Sequence, residues 1–193
     1  KMVLDASAAS TDVGDEILFE DGTDDVSVLL KDGIPSGIAI NTKSLPTGSV
    51  LQVVTGITTT STSQTSTTWA DTTLTANITP SSSSSKIFIL VNQSYRVQRS
   101  TYFAGGSIKI LRGSTFLYYA AENALPYYPY QETPQGTGGV NKFDYQTLNF
   151  LDSPNTTSQV TYKTQQRSYT SSDLINTQQG GAASTIILME IAG

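Results

Sequence analysis

The chain has 193 residues, 37% of them hydrophobic and 14% charged, with a net charge of −5 and neither Cys nor His. Without Cys there are no disulfides and no thiolate chemistry, and without His the commonest general base and metal ligand are missing. Ser-His-Asp and Cys-His sites, the usual zinc sites and His-ligated haem are thereby excluded, and no cofactor or metal is expected.

Charge is unevenly distributed. Residues 1–48 carry nine acidic against three basic side chains, net −6, while residues 49–193 carry seven acidic and eight basic, net +1. An acidic, solvated segment at one end argues against nucleic acid as a partner. No apolar run is long enough to cross a bilayer and no signal-peptide pattern is seen, so no membrane insertion is expected. The first residue is Lys1, from which a processed or carboxy-terminal part of a longer chain is expected.

In chain order, residues 1–30 read as an acidic attachment segment. Ile17-Leu-Phe19 and Val26–Leu30 suit two short strands about an Asp21-Gly22 turn. So small a hairpin cannot bury a core alone, and order is expected only against other subunits or a larger assembly. Asp21, Asp24 and Asp25 lack the ligand spacing of an EF-hand loop and read as a plain turn. Residues 31–48 hold two prolines and three glycines and form a linker.

From residue 49 to 193 short strands alternate with turn signals, in a chain rich in β-branched Thr. Strands are expected at Val50–Thr55, Thr65–Ala70, Leu74–Thr79, Lys86–Val97, Phe103–Arg112, Thr115–Ala121, Tyr145–Asp152, Gln159–Ser168 and Ser184–Ile191. The pattern predicts an all-β fold, an antiparallel β-sandwich of jelly-roll type.

Two of these strands organise the rest. In Lys86–Asn92, Ile87, Ile89 and Val91 point to one face, and Phe88 and Leu90 to the other. Thr185–Ile191, with Ile186, Ile187 and Leu188, has the same character. Both read as neighbouring central strands, dry on both faces, so that a charge at Leu90 or Ile187 is expected to abolish soluble protein. One layer of cover comes from the opposite sheet. The second comes either from sister subunits around a threefold axis or from a larger single sandwich, and the residues alone leave both open.

The Pro- and Gly-rich stretch Glu122–Val140 is long enough to suggest a functional loop. Tyr127, Tyr128 and Tyr130 offer flat amphipathic faces for sugar rings or a protein surface, with Glu122 and Glu132 as hydrogen-bonding groups. Packing on their own subunit explains the tyrosines as well. Trp69 falls on the inner face of a strand by alternation and reads as core. Arg96, Arg99 and Arg112 form either a basic patch for acidic glycans or ordinary surface pairs with Asp71 or Asp144. Glycan cleavage needs two carboxylates about 5–9 Å apart, and Glu122, Glu132 and Asp144 are the only acids near the aromatic loop. No long-period repeat of a β-helix is present, and no enzyme is expected.

Five segments in order carry a resemblance: Gly48-Ser-Val-Leu-Gln-Val-Val54, Ile78-Thr-Pro-Ser-Ser-Ser-Ser-Ser-Lys-Ile87, Ile110-Leu-Arg-Gly-Ser-Thr115, Leu151-Asp-Ser-Pro154 and Leu188-Met-Glu-Ile-Ala-Gly193. With the acidic Ala8–Gly22 upstream, they resemble the carboxy-terminal β domain of tail-fibre and related virion proteins of bacteriophages, especially marine ones. The resemblance implies a homotrimeric virion structural protein, most readily of the tail fibre. Residues 1–48 would contact other virion proteins, and the β domain would project and attach to the host, with a cell-surface glycan as its ligand. A head decoration protein that binds no receptor, and a glycan-binding or glycan-cleaving tailspike domain, are the alternatives. The family has no fixed catalytic residues to carry over.

Overall fold

The computed structural model describes residues 45–99, 104–119 and 139–193. The chain divides into two units, 1–40 and 41–193, and all described residues fall in the second. The expected acidic hairpin, most of the linker and the tyrosine loop lie outside the described residues.

Ten strands and one 3-10 turn make up the described fold. They are β1 (Val50–Thr58), β2 (Thr62–Gln64), β3 (Ala70–Ile78), β4 (Lys86–Arg99), β5 (Gly106–Arg112), β6 (Thr115–Tyr119), β7 (Val140–Asp152), β8 (Val160–Ser168), β9 (Leu174–Thr177) and β10 (Ser184–Ile191), the turn being Gln179–Gly181. The strands form two antiparallel sheets. The longer runs β1-β10-β4-β9-β2, with β7 on the other side of β4, and the shorter runs β3-β8-β5-β6. Setting aside the short β2 and β9, the strand orders β1-β10-β4-β7 and β3-β8-β5-β6 are those of a jelly roll.

β4 is the spine. One side pairs with β7 from Ile87↔Asp152 to Arg99↔Val140. Its other side pairs first with β10 (Ile186↔Val91, Leu188↔Ile89) and then with β9 (Tyr95↔Thr177, Val97↔Ile175). Where the partner changes, Ser94 would lose its ladder bonds. The Ser184 hydroxyl accepts from Ser94 N–H at 2.9 Å, and Gln178 N–H donates to the Ser94 carbonyl at 3.2 Å. Buried backbone polar groups are thus satisfied across the switch.

Alternation sets the core. Ile87, Ile89, Val91, Ile186 and Leu188 are fully buried against Leu74, Ile110 and Tyr162 of the short sheet. The edges of the two sheets meet at Gly56, where a Cβ would lie 2.2 Å from the Thr75 carbonyl, so no side chain fits. The serine run becomes the β3–β4 turn, held by Glu190: Ser81 donates to its Oε1 from both N–H (2.7 Å) and hydroxyl (2.6 Å), and Gln52 Nε2 donates to Oε2. Burial alone would raise the Glu190 carboxyl. The hydrogen bonds from Ser81 and Gln52 outweigh it and hold the group below the ordinary glutamate value.

Two expectations are corrected and two short strands are added. Of the strand expected over Thr65–Ala70 only Ala70 is strand, and Ser66–Thr68 is a bend, because Ser66 and Thr68 turn their hydrogen bonding locally: Ser66 N–H donates to Gln64 Oε1 and Thr68 N–H to Ser66 Oγ. β7 begins at Val140 rather than Tyr145, since the far half of β4 draws Asn141–Asp144 into the ladder. β2 and β9, of three and four residues, had no expectation at all, being too short to show a period.

Candidate functional site

Cross-strand partners share a face, so the register shows what the long sheet turns outward. One row reads Val53–Met189–Phe88–Leu151 and the next Thr55–Ile187–Leu90–Asn149, each crossing β1, β10, β4 and β7. A third, Ile57–Thr185–Asn92–Thr147, is mostly polar and closes the patch. Val53, Ile57 and Leu151 are 56%, 67% and 49% exposed, and Phe88, Leu90, Ile187 and Met189 are half-buried. The apolar runs therefore split by parity. Ile87, Ile89, Val91, Ile186 and Leu188 are core, whereas Phe88, Leu90 and Ile187 lie on the outer face, which the opposite sheet does not cover.

Of the three arginines considered together, each has its own partner. Arg99 pairs with Asp173 at 3.5 Å. Arg96 donates to Asn141 Oδ1 at 2.7 Å and to Gln98, and its guanidinium lies 5.5 Å from the Phe143 ring centroid. Phe143 and the exposed Tyr145 line a shallow cleft of about 260 Å³ with Ser94, Gln179 and Ala182. Asp71 and Asp144 are held by Lys163 and Lys142 instead of arginine.

Arg112 belongs to a buried polar cluster. Its Nη1 donates to both Asp152 oxygens, at 2.8 and 3.1 Å, and the Tyr162 hydroxyl donates to Asp152 Oδ2 at 2.7 Å. Burial, and then the Asp152 carboxylate, push the Tyr162 phenol above its ordinary value. The folded state thus holds this proton more tightly than the unfolded chain. The resulting stabilisation is complete below the ordinary tyrosine value of about 10 and is lost as pH rises from there toward the folded value. The urea midpoint should fall above about pH 10, and Tyr162→Phe should flatten that fall. Asp152→Ala should cost about 2–3 kcal/mol in urea unfolding, since it strips a buried hydroxyl of its acceptor while Arg112 keeps some access to water.

Trp69, expected in the core, is half-buried and stands outside the core cluster. It immediately precedes β3, where the Ser66–Thr68 bend interrupts the strand phase on which the core assignment relied. Its indole lies over the outer face of the short sheet, with Lys109 Nζ 4.3 Å and the Arg167 guanidinium 4.9 Å from the ring centroid. Neither cation stood out in the sequence. Both sit at outward positions of half-buried strands, where basic residues are ordinary.

Tyr127, Tyr128, Tyr130, Glu122 and Glu132 lie outside the described residues. Among the described residues no group of three or more acidic side chains is placed to hold a metal ion. Compared with known protein families and with curated proteins, the chain matches none.

Proposed function

We propose that the chain is a structural module of a bacteriophage particle. It self-associates as a homotrimer through the outer face of its long sheet and, within a tail fibre, attaches the particle to the host surface. The observation that carries this reading is the apolar row Val53–Met189–Phe88–Leu151 with Ile187 and Leu90 beside it. Contiguous apolar surface of this kind, rimmed by Thr and Asn, marks an interaction site, and identical copies around a closed axis cover it without leaving an edge.

The jelly roll, an architecture shared by viral capsid and lectin domains, agrees with the reading without choosing the function. The tail-fibre resemblance of the five segments supplies the particle. Residues 1–48 serve as the link to other virion proteins. Attachment works through multivalency, with modest contacts repeated on each trimer and each particle. Among the described residues, the state of the acids supports a non-catalytic role. Asp71, Asp144, Asp152 and Asp173 each face a cation, and Glu190 holds the serine turn.

Sedimentation equilibrium of the full chain at micromolar concentration should give three times the 20.6 kDa chain mass. A monomer would sink the assembly reading. Antibody label on intact particles should fall on tail fibres, and label over the head would replace attachment by decoration.

A further inference from the structure

On the outer face of the short sheet three aromatic rings stand in series. Trp69 and Tyr119 are stacked with centroids 6.5 Å apart, and Tyr119 and Phe116 follow at 5.0 Å. The sheet builds this row. Lys109 of β5 is paired with Tyr119 of β6 on one side and Gln165 of β8 on the other, and Ser107 with Arg167, so all these side chains rise from one face. Lys109 reaches both ends of the row, 4.3 Å from the indole centroid and 5.9 Å from that of Phe116.

Two cations against one indole repel each other. Burial, and then the Arg167 charge, depress the Lys109 ammonium, so the free protein holds it at a cost. The carboxylate that offsets it, Asp71, is already occupied, with Lys163 Nζ at 2.7 Å from Oδ2 and Gln165 Nε2 at 2.7 Å from Oδ1. Among the described residues Lys109 makes no ion pair.

From this arrangement we infer that the outer face of the short sheet binds an acidic polysaccharide, its pyranose rings lying along Trp69, Tyr119 and Phe116 and a carboxylate received by Lys109 and Arg167. Aromatic faces accept the flat apolar faces of sugar rings. A carboxylate matches the guanidinium fork and removes the repulsion between the two cations, which a neutral sugar cannot do. Single-stranded nucleic acid uses similar stacking. It also needs a continuous basic groove, and residues 49–193 have a balance of only +1. The inference deepens the attachment function proposed above and rests on it only in placing the polysaccharide on a cell surface.

Trp69 is the only tryptophan, so its emission reports the site directly. The full chain would be titrated with oligomers of galacturonate, alginate and heparin, with the methyl ester of the galacturonate oligomer, and with oligo(dT). At least one acidic oligomer should shift the emission saturably, less so as salt rises. The neutral ester should bind about tenfold or more weakly than its acid if that is the acid bound, as should the bound oligomer in Lys109→Gln and Arg167→Gln chains of parental mass and melting temperature. Binding to none of the acidic oligomers by a chain of trimer mass overturns the site and leaves the assembly reading standing. Equal affinity for ester and acid, parental affinity in both variants, or tighter binding of oligo(dT) would each overturn it as well.

Discussion

Ile89→Asp should yield no folded protein. Ile89 is fully buried on β4, between Leu188 of β10 and Phe150 of β7, and faces the short sheet. The core cluster it belongs to is aliphatic and aromatic, and the Tyr162 hydroxyl in it is already given to Asp152. An unpaired charge in such a place costs several kcal/mol, comparable with the whole stability of a domain, about 5–15 kcal/mol. The graded version is Leu188→Ala, which removes packing without adding charge and should cost about 2–5 kcal/mol. That corresponds to a fall in melting temperature of roughly 4–20 °C for a chain of this size. Soluble yield and urea midpoints check both. A parental melt for Ile89→Asp would show that the inner face has been assigned to the wrong residues.

The double variant Leu90→Asp, Ile187→Asp should fold and lose its assembly. From the sequence these two residues rank with Ile89 and Leu188, and a charge at either is expected to abolish soluble protein. The structure revises that expectation. Leu90 and Ile187 are half-buried cross-strand partners on the outer face, and in an isolated subunit a carboxylate there stays hydrated. Its cost to the subunit is then small, about 1 kcal/mol or less. Within the assembly each copy would bury two like charges without partners, several kcal/mol per subunit. The expected result is a monomer with a parental circular dichroism spectrum and a modest loss of melting temperature. A variant that remains trimeric would move the interface elsewhere, and one that is insoluble would return both residues to the core.

Much of the framework follows from local sequence. The alternation in Ala70–Ile78 and Val160–Ser168, and the unbroken apolar runs Ile87–Val91 and Ile186–Met189, set strand type and the parity of each side chain, because a strand repeats every two residues whatever it pairs with. The serine turn and the Gly113-Ser114 hairpin are likewise local chemistry, the latter with Gly113 in the left-handed region at φ 56°.

Pairing is another matter. β1 is joined to β10 across nearly the whole domain, with Gln52 opposite Glu190, and every connection between long strands except the β5–β6 hairpin passes from one sheet to the other. No local pattern encodes such contacts, so β10 beside β4 could be inferred only from their shared apolarity. Parity alone also could not say which side of a doubly apolar strand meets the opposite sheet, and Leu90 and Ile187 were therefore indistinguishable from Ile89 and Leu188. The aromatic and basic row on the short sheet was out of reach for the same reason. Trp69, Lys109, Tyr119 and Arg167 come from four segments spread over about half the chain, and only the order β3-β8-β5-β6 brings them to one face. Composition and alternation suffice for an all-β chain, its strand parity, its acidic amino-terminal quarter and the lack of thiol and imidazole groups. Which faces are buried, which are offered outward and which side chains meet there was decided by tertiary structure, since cross-strand neighbours depend on pairing between segments distant in the chain.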